Sequence, residues 1–125
     1  MKLIILAAAV TLLFATVGEV RAANELDGKA LLCKNKYETA HPVIGLLFDD
    51  GKVSRHEVTG YSKIVKYQRT YWLVGTHGVN WVGNISLNRE TLRTNAGYQC
   101  SLSSKEEMNK KLDEIIATAK KKNKI

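Results

Sequence analysis

Tyr67-Gln68-Arg69-Thr70-Tyr71-Trp72-Leu73-Val74 is the longest run of aromatic and β-branched residues outside the N-terminal stretch. Such side chains suit a pleated, half-buried surface, so this segment reads as the central strand of a sheet. Turn signals stand on both sides of it: Asp50-Gly51, Gly60, Gly75 to Gly78, Gly83, Asn88 to Glu90 and Asn95 to Gly97. Between them lie short strand-like runs at 29–34, 43–48, 53–58, 79–82, 85–88, 91–94 and 98–102. Asp50-Gly51 supplies the positive φ angles of a two-residue hairpin. Seven or eight short strands with turns of a few residues describe an antiparallel meander, and a meander of that length bends into a curved sheet or small barrel.

After Leu102 the period changes. Ser104 with Glu107 forms a capping box, and Met108, Leu112, Ile115, Ile116 and Ala119 recur at helical spacing. A helix is predicted over 104–120, its apolar stripe docked on the sheet, with Glu106–Lys110 and Glu107–Lys111 as i,i+4 pairs. Lys120, Lys121, Lys122 and Lys124 follow, where cations complement the helix dipole.

Residues 1–22 have the layout of a secretory signal peptide: basic Met1-Lys2, an apolar run over Leu3–Val17 and the small-x-small site Val20-Arg21-Ala22. The run is short for a hydrocarbon core of about 30 Å. The expected organisation is therefore a cleaved leader (1–22), a β-meander domain (23–104), and a helix with basic tail (105–125) belonging to the same domain. Residues 23–125 carry a net charge of +6, half of it in the last segment. Export, to a periplasm or the exterior, places Cys33 and Cys100 in an oxidising compartment. As the only two cysteines, they are expected to form a disulfide, worth about 4 kcal/mol to so small a domain in the chain-entropy model.

Ser54-Arg55-His56-Glu57 is the cluster that looks most like catalysis. On a strand, however, Arg55 and Glu57 share one face while Ser54 and His56 share the other. The base and its carboxylate cannot converge. Asp49 and Asp50 are explained by turn formation, and His41, His56 and His77 are too far apart in sequence for a ligand set on one element. No phosphate loop or nucleophile elbow is present, so neither catalytic residue, metal nor cofactor is assigned.

Two binding modes stand ahead of a hydrolase with an unrecognised site. One is an aromatic-lined pocket or sheet face, using Tyr71, Trp72 and Trp81 for a small apolar ligand. The other is attachment of Lys120, Lys121, Lys122 and Lys124 to an anionic membrane surface or partner protein. Export argues against nucleic acid. Finally, Lys29-Ala-Leu-Leu-Cys33, Ser86-Leu-Asn-Arg-Glu-Thr-Leu92, Tyr98-Gln-Cys100 and the Lys-rich helix together resemble a group of small exported bacterial proteins of unknown function. That resemblance implies no activity, ligand or site residue.

Overall fold

The computed structural model describes residues 25–125, so the leader and the start at Ala23 lie outside the described residues. Seven strands follow: β1 (Ala30–Lys34), β2 (Val43–Asp49), β3 (Lys52–Thr59), β4 (Ser62–Val74), β5 (Gly78–Trp81), β6 (Ile85–Asn88) and β7 (Gln99–Ser103). One helix, α1 (Lys105–Lys121), ends the chain. All pairings are antiparallel, in the order β6-β5-β4-β3-β2-β1-β7. Only β7 departs from the meander, returning to lie beside β1.

Turn chemistry sets the registers. Asp50 and Gly51 both take positive φ, and the β2–β3 hairpin closes with Asp49 opposite Lys52. Gly60-Tyr61 turns β3 into β4 in two residues, with Thr59 opposite Ser62. The run 91–94, expected as a strand, is not one. Leu92 takes φ +59, which breaks extension, and the segment instead laces the outer edges of the sheet together. Asn88 N–H donates to the Arg93 carbonyl and Asn95 N–H to that of Ser86. On the other side, Thr94 N–H donates to the Tyr98 carbonyl and Cys100 N–H to that of Leu92. The sheet is thereby curled into a half-barrel.

Period-2 alternation then sorts the side chains. Leu31, Cys33, Ile44, Leu46, Phe48, Val53, Tyr71, Val79, Trp81, Leu87 and Cys100 face the concave side and form the core. Cys33 and Cys100 stand directly opposite each other on β1 and β7 and are joined by a disulfide.

The helix covers the other face. Ser104 Oγ accepts the Glu107 N–H (3.1 Å), capping it as the sequence predicts. Met108 and Leu112 are completely buried, whereas Ile115 and Ile116 are only half-buried. The close approach is made by Met108, whose thioether lies where a Cβ on Gly45 would be. Further along, the helix is fastened by Lys63 to Asp113 (2.9 Å). Lys111 pairs with Glu114 (3.7 Å) rather than with Glu107.

Removing the Leu112 side chain leaves a cavity between helix and sheet, and Leu112→Ala is expected to cost about 2–5 kcal/mol. Chemical denaturation followed by circular dichroism measures this. An unchanged midpoint would show that the helix contributes nothing to the fold.

Candidate functional site

The three aromatics expected to line one pocket do not share a space. Tyr71 and Trp81 are cross-strand partners on the concave face, 3% and 1% exposed. Trp72 points to the opposite face and is 46% exposed. Adjacent residues of a strand cannot face one cavity. Phe48 meets the two buried rings edge-on, with centroids 5.2 Å from Tyr71 and 6.2 Å from Trp81. Their polar tips are satisfied as well. Trp81 Nε1 donates to Tyr67 Oη (3.1 Å), while Tyr71 Oη donates to Asp27 Oδ1 (2.9 Å) and accepts the Leu26 N–H (3.2 Å). Burial, with help from the Asp27 carboxylate, pushes the Tyr71 phenol up to about 12. Tyr71 and Trp81 are core.

The Ser54–Glu57 stretch splits across the sheet as alternation requires. On the concave side Glu57 is 1% exposed. It accepts from Arg55 Nε (3.0 Å) and has His41 Nε2 at 3.5 Å. Arg55 also lies over the Tyr98 ring, and Tyr98 Oη donates to the His41 carbonyl (2.7 Å). His41 arrives from the β1–β2 loop, so no local spacing revealed it. A buried carboxylate left unpaired is expensive; here it ties that loop to the end of the half-barrel.

On the helix side Ser54 Oγ and His56 Nε2 are 2.9 Å apart. This is the distance of a nucleophile–base pair, but Ser54 Oγ also donates to the Leu47 carbonyl (3.3 Å). The hydroxyl thus has the Leu47 carbonyl as a second partner for its single proton. The third member of a triad is missing too, because Glu57 lies across the sheet. Among the described residues, no group of three or more His, Cys, Asp or Glu could hold a metal ion.

The most ligand-like feature is a cleft of about 340 Å³, lined by Leu26, Leu31, Phe48, Leu87, Leu92 and Leu102, with Lys29, Arg89 and Glu90 at its rim. It exists because the lacing stops short. Cys100 is bonded to Leu92, but past that point the chain has turned at Leu92 and β7 has no neighbour on its outer side among the described residues. Leu102 faces the same side as its partner Leu31, yet it is 69% exposed. At the rim Arg89 binds both oxygens of Glu25 (3.3 Å each) and Glu90 pairs with His77 (3.2 Å). Lys29 has no carboxylate partner among the described residues. Sequence reading missed this cleft because it depends on where two non-adjacent edges part. The inward register of Leu102 was the available signal.

The four lysines of the tail, Lys120, Lys121, Lys122 and Lys124, are all exposed, and none pairs with a carboxylate among the described residues. Lys120 lies over the Tyr61 ring (5.8 Å), and Asn123 Nδ2 donates to Tyr61 Oη. The end of the helix is thus pinned to the β3–β4 turn. Among the described residues, no helix is long and apolar enough to cross a membrane.

His56 provides a pH test. Its pKa is lowered from the ordinary 6.5, mainly by burial and then by Lys105 and Lys63. The unfolded chain therefore takes up a proton at a higher pH than the fold does. Stability is fully present above 6.5 and falls as pH drops through that value toward the folded pKa. The denaturant midpoint should fall between pH 7.5 and 5.5, and fall less in His56→Gln. An equal fall in both would remove His56 from the acid response. No protein-family model matches this sequence, and neither a curated protein nor a solved structure shows significant similarity to it.

Proposed function

We propose that the protein is an exported, non-catalytic binding protein that holds a small apolar or amphiphilic molecule in the cleft between β6 and β7. The single observation that carries this reading is Leu102, an inward-facing leucine left mostly exposed beside a leucine-walled opening. An exposed apolar face bordered by charge is where apolar ligands bind. The opening lies at the small end of the usual range for such sites, about 300–1,000 Å³, which suits an alkyl chain better than a bulky ring system. Lys29 would meet an anionic head group at the rim. The disulfide accords with an oxidising compartment.

Calorimetric titration with straight-chain carboxylates of increasing length tests the proposal. Affinity should rise by up to about 0.8 kcal/mol per buried methylene and level off once the cleft is full. Leu102→Glu, at an exposed position that tolerates the change, should abolish the rise. Absence of binding at every chain length, or an unaffected Leu102→Glu variant, would defeat it.

A second reading has its own observation, the unpaired lysines carried on the pinned end of α1. Each could contribute about 1 kcal/mol near an anionic bilayer, falling off within a Debye length. Sedimentation with anionic vesicles at low salt should carry down the full chain and leave a chain ending at Ala119 in solution. If neither form sediments, the surface role is wrong.

A further inference from the structure

β4 is the longest strand among the described residues, and its two neighbours hold different stretches of it: the β3 ladder ends at Thr70, and that of β5 begins at Tyr71. β5 pairs with Tyr71–Val74 alone. Ser62–Thr70 has β3 on one side and, among the described residues, no strand on the other. Roughly half of its backbone N–H and C=O groups therefore face outward without a strand partner. Its side chains leave the approach open, since every residue from Ser62 to Lys66 is exposed, as are Gln68 and Thr70.

The charge at this edge has one sign. Lys63, Lys66 and Arg69 lie on it, and the sequence contains no Asp or Glu between Glu57 and Glu90. The register slip between β3 and β4 leaves Lys66 as the extra residue of a bulge, and Lys66 has no carboxylate partner among the described residues. Asp113 of the helix neutralises Lys63 alone, and Arg69 is occupied with the Val82 carbonyl (2.6 Å) and the Tyr67 ring.

We infer that Ser62–Thr70 is a strand-addition site for an extended, acidic segment of a partner protein. Main-chain hydrogen bonds would supply the affinity and side chains the selection. A second copy of this chain fits poorly. Antiparallel pairing of the whole edge with itself would set Lys66 directly against Lys66, neither with a carboxylate partner among the described residues, and like charges directly opposite are destabilising. An acidic strand reverses that sign. Lysines and a bulge also protect edges from aggregation; the same lysines that repel a like-charged edge attract an acidic one.

The probe is a synthetic octapeptide of alternating glutamate and valine, titrated into the full chain at low salt and followed by NMR and amide exchange. Slowed exchange confined to Ser62–Thr70, loss of binding when alternate peptide amides are N-methylated, and an affinity about tenfold weaker in Lys66→Glu are expected. No binding, binding indifferent to N-methylation, or protection elsewhere would overturn the inference. So would protection of the same amides that grows with protein concentration in the free protein, which would assign the edge to a second copy.

Discussion

Phe48 pressed edge-on between Tyr71 and Trp81 is the contact on which the rest of the structure depends. The three rings come from β2, β4 and β5, which span four successive strands, so they can meet only if the sheet bends around them. Aromatic pairs of this geometry are worth about 0.5–1.5 kcal/mol beyond the area they bury. The curl they enforce matters more. It brings β6 and β7 near enough for residues 92–95 to lace them. Tyr71 passes the constraint outward as well. Its hydroxyl holds Asp27, whose carboxylate in turn accepts the Gly51 N–H at the β2–β3 turn (3.0 and 3.1 Å).

The two ends of the half-barrel are finished differently. Toward the β1–β2 loop, Glu57 gathers Arg55 and His41, with Tyr98 close by, so charge is buried but paired. Toward the β7 terminus, the lacing gives out and leaves an apolar opening. A domain of this size has little core to spare, and leaving leucines uncovered has a cost in stability. The polar end closes on its own pairs, whereas the apolar end stays open to solvent.

The helix adds a second constraint with a different origin. Its seat requires a residue without a side chain at Gly45, where Met108 enters. Fully buried contact is concentrated in its first half, at Met108 and Leu112. Beyond them Ile115 and Ile116 are only half-covered; Lys63 of β4 holds the middle of the helix at Asp113, and Tyr61 of the β3–β4 turn holds its end. That arrangement leaves Lys121, Lys122 and Lys124 exposed beyond the point of attachment.

Much of the fold was legible in the sequence because its signals are local. Asp50-Gly51 demands a hairpin turn, Ser104 caps a helix, and alternation alone separates Arg55 and Glu57 from Ser54 and His56. The pairing of two lone cysteines followed from there being no other partner. The site was not legible, since burial at one residue says nothing about which distant residues share its space. Tyr71 and Trp81 are as aromatic as a pocket requires, yet curvature turned them into core and alternation sent Trp72 to the other side. The approach of His41 to Glu57, the exposure of Leu102 and the free edge at Ser62–Thr70 all arise from strand order and from where the lacing stops. Local residue choice determined the strands, turns and cap; only the closing of the sheet upon itself decided which faces were filled and which remained open.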